Sequence, residues 1–249
     1  MKLQQLLSYT RRAIDDYRMI EDGDRIAIGI SGGKDSLALL YALSNLRRFY
    51  PKKFELVAIT VQLGFKEMDL SRIQALCDEL QVSYHVVHSE IYQIVFEERK
   101  ESNPCSLCAK MRKGALNEIA LRLNCNKIAY AHHEDDVIET MLMSLLFEGR
   151  MNTFSPITYL DRTKLTVIRP FLYVKEQDIK GFQNKYDVPV VKNPCPADGE
   201  TKREYAKNLV KQLNQEHPGS KDRMFRAILN GHLPGWPDTM TNQSSKSMI

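Results

Sequence analysis

The apolar run Ala27-Ile28-Gly29-Ile30 passes without a spacer into the polar turn Ser31-Gly32-Gly33-Lys34-Asp35-Ser36, and the turn passes at once into the apolar segment Leu37–Leu43. A strand that feeds directly into a helix cannot fold back as a hairpin. Its next strand must return beside it in parallel, after a crossover. This one junction therefore points to an α/β fold.

The rest of the chain repeats the alternation. Strands are predicted at Arg25–Ile30, Glu55–Val61, Ser83–Val87, Lys127–Ala131 and Leu165–Arg169, with helices near 35–48, 70–80, 108–123 and 135–147 between them. Such a pattern implies a parallel sheet with helices on both faces, and ligands at the carboxyl ends of its strands. Residues 2–20 have helical spacing, broken by Glu21-Asp22-Gly23-Asp24. After residue 170 the pattern is helical, at 175–186, 201–214 and 221–230, and the polar end TNQSSKSMI reads as mobile. The expected organisation is an N-terminal helix (1–24), an α/β core (25–170), a helical C-terminal extension (171–235) and a tail (236–249).

At 249 residues and 43% hydrophobic content the chain can bury a full core. No apolar stretch approaches 20 residues, and charges interrupt the N-terminus, so neither a membrane span nor a signal peptide is expected and the location is read as cytoplasmic. The net charge of +4 permits a nucleic-acid partner.

A glycine pair lets backbone wrap closely around a ligand, and amides at the start of a helix point at an anion. Ser31 and Ser36 add hydroxyls and Lys34 a positive charge, so the turn suits a phosphate. It is not a Walker A loop, because Ile28 stands at the first glycine position and Asp35 follows the lysine; nor is it the G-x-G-x-x-G fingerprint. An aspartate inside a phosphate turn repels the ligand unless it helps to hold a cation, which points to Mg2+.

The hexapeptide Ser31–Ser36 resembles the SGGxDS signature of the PP-loop ATP pyrophosphatases. Residues His132-His133-Glu134-Asp135-Asp136-Val137-Ile138-Glu139-Thr140 resemble that family's H-x-x-D-D-x-x-E-T element. The resemblance implies a Rossmann-like (HUP-type) sheet and cleavage of ATP between its α- and β-phosphates, with Lys34 and Asp35 acting in the chemistry. It implies nucleotide contacts at Ser31, Gly32, Gly33, Lys34, Asp35, Ser36, Ile59, Thr60, Val61, His132, Asp135 and Asp136. His132 and His133, as strand neighbours, point to opposite faces and are not expected to share an ion.

Five cysteines without an export signal favour thiol or metal chemistry over disulfides. Cys77 and Cys125 lie in apolar patterns and read as core. Cys105 and Cys108 open an amphipathic helix, and the pair suits a redox dithiol, half a zinc site or part of an iron–sulfur site. Cys195 sits between two prolines. Three thiolates are one short of a structural zinc site, but they can hold a [4Fe-4S] cluster with one iron left without a protein ligand. The order SGGKDS, CSLCAKMRKG, Pro-Cys-Pro is similar to the tRNA 2-thiocytidine synthetase family over roughly residues 22–235. That similarity implies Cys105, Cys108 and Cys195 as cluster ligands. It implies ATP and Mg2+ as further cofactors, tRNA as substrate with cytidine 32 as the target, a sulfur donor such as a cysteine desulfurase, and a homodimer. Some members carry a second cysteine after the third ligand, where this chain has Pro196-Ala197-Asp198.

Basic residues at Lys110, Arg112 and Lys113, at Lys202, Arg203, Lys207 and Lys211, and at Lys221, Arg223 and Arg226 are candidates for RNA phosphates, as are Arg150 and Arg169; Tyr205 and Trp236 are candidates for base stacking. The rival readings are another PP-loop adenylating enzyme, lysidine synthetase-like or a uridine thiolase, and a non-catalytic metal-stabilised RNA-binding protein. A lysidine synthetase-like enzyme leaves the three cysteines unexplained, and the binding protein leaves the acidic element unexplained.

Overall fold

In the computed structural model the described residues are 1–64, 68–99, 104–191, 202–237 and 239. They form six strands in one sheet: β1 (Asp24–Gly29), β2 (Phe54–Gln62), β3 (Ser83–His88), β4 (Lys127–Ala129), β5 (Ile157–Leu160) and β6 (Leu165–Ile168). The helices are α1 (Leu3–Asp16), α2 (Lys34–Leu46), α3 (Ser71–Glu79), α4 (Pro104–Arg122), α5 (Glu134–Glu148), α6 (Glu176–Tyr186), α7 (Lys202–Glu216) and α8 (Ser220–Asn230). A π-helical turn spans Gln93–Glu98. Among the described residues no helix is long and apolar enough to cross a membrane.

The strand order is β3-β2-β1-β4-β6-β5. Strands β1 to β4 and β6 run parallel, with Ile26 opposite Leu56 and Lys127. The chain builds outward from β1 through β2 to β3, then returns to lay β4 on the other side of β1. That reversal opens a crevice at the carboxyl ends of β1 and β4, where ligands of open α/β sheets bind.

Strand β5, absent from the sequence reading, pairs antiparallel with β6 through a tight turn in which Lys164 adopts φ +58° and its amide donates to Leu160 O at 2.7 Å. Only four residues long and partly exposed, β5 has too short an apolar alternation to read. The π-helical turn was likewise not expected.

Helix α2 is buried on most of its surface, with Leu37, Leu39, Leu40 and Leu43 fully covered. One apolar cluster joins Leu6 and Ile14 of α1, Ile26 and Ile28 of β1, Phe182 of α6 and Phe225 of α8, so the helices before and after the sheet share its core. Trp236 packs edge-on against Tyr17, with centroids 6.5 Å apart.

At the opposite end of the sheet from the crevice, the buried Asp24 carboxylate accepts from Lys127 Nζ (2.7 Å), Asn126 Nδ2 (2.7 Å) and the Glu21 amide (2.6 Å). Removing one member of a buried pair strands the other's charge. Asp24→Ala is expected to lower unfolding stability by about 3 kcal/mol, read from urea denaturation; a loss within about 0.5 kcal/mol, the range of ordinary surface substitutions, contradicts the clamp.

Candidate functional site

The strand-to-helix turn after β1 organises itself. The Ser31 amide donates to Ser36 Oγ at 3.2 Å, Ser36 Oγ donates to Gly33 O at 3.0 Å, and the Gly33 amide donates to Ser31 Oγ at 3.3 Å. Gly32 needs to be glycine: its φ is +82°, and a Cβ there would lie 3.3 Å from Met68 Cε and 3.4 Å from Val191 Cβ. Gly33, expected to need the same freedom, has φ −76° and serves as the N-cap of α2, a conformation open to other residues.

A cavity of about 390 Å3 opens beside this turn. Its walls come from the carboxyl ends of four parallel strands and from one face of α4. Of the residues expected to contact nucleotide, Ser31, Asp35, Ser36, Ile59, Thr60, Val61, His132 and Asp136 line it. Gly32, Gly33, Lys34 and Asp135 do not. The sequence reading missed Gln62 at the end of β2 with Leu63 and Gly64 after it, His88 at the end of β3 with Ser89 after it, and Tyr130 after β4. Their shared signal is position, each lying at or just past the carboxyl end of a parallel strand.

Lys34 turns aside because its ammonium lies 3.0 Å from Asp35 Oδ2 and 3.2 Å from Glu176 Oε1 of α6. Burial pulls its pKa down, but Asp35 and Glu176 outweigh burial and the net shift is upward. Among the described residues Asp35 Oδ1 is buried without a hydrogen-bond partner, with His133 Nε2 at 3.9 Å. An orphaned carboxylate oxygen at the edge of a phosphate turn fits a bound cation. Asp135 points toward α6 and α8, where it accepts from the Glu176 amide at 2.8 Å and pairs with Lys221.

The two adjacent histidines do diverge. His133 caps α5: its Nδ1 accepts from the Asp136 amide at 3.3 Å, and its own amide donates to Asp136 Oδ2 at 3.0 Å. His132 stands on the cavity wall between the rings of Tyr130 (5.6 Å) and Phe154 (4.7 Å). Arg169 Nε donates to His132 Nδ1 at 3.2 Å. Burial, reinforced by Arg169, drives the imidazole pKa well below its usual value, so the ring is neutral. With Nδ1 accepting, the ring proton resides on Nε2.

Cys105 and Cys108 occupy the first turn of α4, three residues apart and hence on one face. Neither is in a disulfide; Cys105 is exposed and Cys108 half-exposed. Arg112, on the cavity wall, follows Cys108 by four residues, a rise of about 6 Å along the helix. Helix α4 therefore leads from the thiol pair to the cavity. Cys77 and Cys125 are buried, as expected. Cys195 lies outside the described residues.

Several cations expected to meet RNA are engaged internally. Arg203 Nη1 reaches Asp136 Oδ1 at 3.0 Å and Glu139 Oε2 at 3.5 Å, Lys207 pairs with Glu176 at 3.2 Å, and Lys221 pairs with Asp135. They neutralise the acidic first turns of α5 and α6. Arg169 is buried behind His132, where Nη1 also donates to Thr158 Oγ1 at 3.2 Å, so it does not reach the surface as an RNA contact. Trp236 is likewise half-buried by packing, whereas Tyr205 is 58% exposed beside Phe147.

A family model described as a PP-loop domain matches residues 3–214. The tRNA-cytidine(32) 2-sulfurtransferase of Geobacter sulfurreducens is 37% identical over 233 residues, covering 92% of this chain and 91% of that protein. Its counterpart in Geotalea daltonii is 41% identical, covering 88% of each chain. Among solved structures, the U34-tRNA thiolase NcsA from Methanococcus maripaludis, determined with its [4Fe-4S] cluster, superposes with a TM-score of 0.73 at 25% identity over 94% of this chain and 81% of that one.

Burial, with Asp136 next, pushes the Glu139 carboxyl up to about 7. A carboxyl whose folded pKa is raised binds its proton more tightly in the folded state, so it weakens the fold as pH rises from the unfolded value near 4.5 toward 7. Glu139→Gln should remove that dependence: the variant gains stability relative to the parent across this range, on the order of 2 kcal/mol. Urea unfolding at stepped pH checks it, and parallel curves for the two proteins overturn it.

Proposed function

The chain belongs to the PP-loop family and, within it, to the tRNA-cytidine(32) 2-sulfurtransferase family, and from that premise we propose that it uses ATP to replace the C2 oxygen of a tRNA cytidine, cytidine 32, with sulfur. One observation carries the reading most directly: helix α4 joins the Cys105–Cys108 pair to the wall of the cavity beside the phosphate turn.

ATP lies with its phosphates over Ser31–Ser36, where amides at the start of α2 and the two serine hydroxyls meet them. Its base lies toward Ile59, Thr60 and Val61 at the end of β2. Asp35, whose Oδ1 has no hydrogen-bond partner among the described residues, would hold Mg2+, which would offset charge on the phosphates. Lys34, kept protonated by Asp35 and Glu176, adds positive charge behind the turn. The C2 carbonyl oxygen of the base attacks the α-phosphorus, the bond to the β-phosphate breaks, and pyrophosphate leaves with the electron pair. The base now carries AMP as a leaving group. A sulfur nucleophile forms the C2–S bond, the C2–O bond breaks, and AMP departs with the oxygen. Neutral His132 holds its Nε2 proton at the cavity wall as a hydrogen-bond donor.

Cys105 and Cys108, one exposed and one half-exposed thiol on one helix face, fit an iron–sulfur cluster as two of its ligands, with Cys195 the third. Held by these three thiolates, such a cluster would leave one iron without a protein ligand and would supply a place to hold sulfur. Val191, four residues before Cys195, donates its amide to Gly32 O at 2.9 Å, and Arg203, eight residues after it, grips Asp136. Both flanks of the Cys195 segment are thus anchored at the phosphate turn and the acidic element, which supports an approach of this cysteine to the site. The sulfur comes from an external donor of the cysteine desulfurase kind.

The likeness to the U34-tRNA thiolase favours uridine thiolation as the second reading. Mass spectrometry of tRNA nucleosides from a strain lacking the protein separates the two. Loss of 2-thiocytidine is expected; loss of a 2-thiouridine instead favours the second reading, and an unchanged set of thionucleosides overturns both. With purified components, Asp35→Asn should slow tRNA-dependent pyrophosphate release by about 100-fold or more. Cys105→Ser and Cys108→Ser should each abolish thiolation and the broad absorbance near 400 nm of anaerobically purified protein. A Cys108→Ser protein that still thiolates tRNA contradicts the ligand assignment.

A further inference from the structure

Nearly every cation around the acidic end of the site has a carboxylate partner. Arg203, Lys207, Lys221 and Lys34 are all paired. The α4 end of the cavity is different. Arg112 stands on the wall, Lys113 is next to it, and Arg169 is packed behind His132 at only 9% exposure. Among the described residues none of these three cations pairs with a carboxylate; the Arg169 contacts are a carbonyl, a hydroxyl, an imidazole nitrogen and the face of Phe154 at 5.0 Å.

Lys113 lies close enough to both arginines to be repelled by them. Burial first, then Arg169 and Arg112, lower the Lys113 pKa below the ordinary lysine value. Of the three only Arg169 is buried, and a buried charge without a counterion is costly and ordinarily paired. The donors facing this end are unspent as well. No acceptor meets the Arg112 guanidinium or His132 Nε2 among the described residues, and the Arg169 hydrogen bond keeps the imidazole proton on Nε2. Excess positive charge, free N–H donors and an open cavity together describe a place for an anion.

We propose that the α4 end of the cavity is a phosphate subsite, in which Arg112 and His132 bind an RNA phosphodiester next to the nucleotide being thiolated, with Lys113 and Arg169 adding charge. The inference rests on the tRNA-thiolation reading above. The phosphates of ATP already have the serine hydroxyls and α2 amides of the turn across the cavity. Arg112 is one helical turn from Cys108. A phosphodiester held there places its adjoining base between the phosphate turn and the thiol pair. Single-stranded loop nucleotides, splayed from their stack, are the part of an RNA that can enter such a cavity.

The test uses the full chain with its cluster and an unmodified tRNA transcript, comparing the parent with Arg112→Gln and Lys113→Gln. Both side chains are on the exposed face of α4, so the fold should survive, and thermal melting confirms it. Dissociation constants are measured by fluorescence anisotropy between about 50 and about 200 mM KCl. Arg112→Gln should weaken tRNA binding about tenfold and flatten the plot of log K against log salt by about 0.7, the share of one phosphate contact. Lys113→Gln should weaken binding less, with ATP affinity within about twofold of the parent in both.

Unchanged tRNA affinity and salt slope in Arg112→Gln overturn the subsite. A variant that loses ATP affinity while keeping the parental slope assigns the phosphate to the nucleotide and overturns the RNA assignment. If the parent itself binds ATP but no tRNA, the thiolation reading falls. If the parent binds and thiolates tRNA and Arg112→Gln matches it, the subsite alone falls.

Discussion

Four carboxylates, Glu134, Asp135, Asp136 and Glu139, crowd the first turns of α5, where the chain enters the helix from the centre of the sheet. Their number exceeds what a helix N-terminus can stabilise, and Glu134 and Glu139 are pushed up to about 7 chiefly by burial. The fold answers with cations from distant parts of the chain: Arg203 from α7 on Asp136 and Glu139, and Lys221 from α8 on Asp135. These pairs tie α7 and α8 to α5, beside the apolar contacts of Val210, Phe225 and Ile228. They also fix one flank of the segment that carries Cys195.

The site consequently has two electrostatic halves. On the α5 side, acid and base are matched, and Asp35 keeps one carboxylate oxygen without a hydrogen-bond partner among the described residues. On the α4 side, Arg112, Lys113 and Arg169 have no carboxylate partner among the described residues and stand around a neutral histidine. An enzyme that joins a nucleotide to an RNA base must hold two polyanions near each other. A cation-binding edge and a cationic edge facing one cavity divide that work.

The strand-turn-helix junction at Ile30–Leu37 was legible because each local signal agreed: a short apolar run, turn residues, then helical spacing. The parallel strands of the core and the helices between them were found within a few residues of their ends. Strand β5 was not, because four residues are too few to establish alternation and its stability comes from pairing with β6. The site residues Ser31, Asp35, Ser36, His132 and Asp136 were legible through motif order, and the cavity gathers them. Lys34 and Asp135 belong to the same motifs yet turn to Glu176 and Lys221, partners contributed by α6 and α8.

By itself the sequence determined the strand-helix alternation, the phosphate turn and the pairing of two thiols on one helix face, because each depends on residues within a turn or two of one another. Only the tertiary structure decided which cations are free. Lys207 and Lys221 look as available as Arg112 and Lys113 in the sequence, but the first two meet carboxylates from elements far along the chain and the second two meet none among the described residues. Whether a charge is available depends on what folding brings within a few ångströms of it, since Coulomb energy follows distance and burial rather than order along the chain.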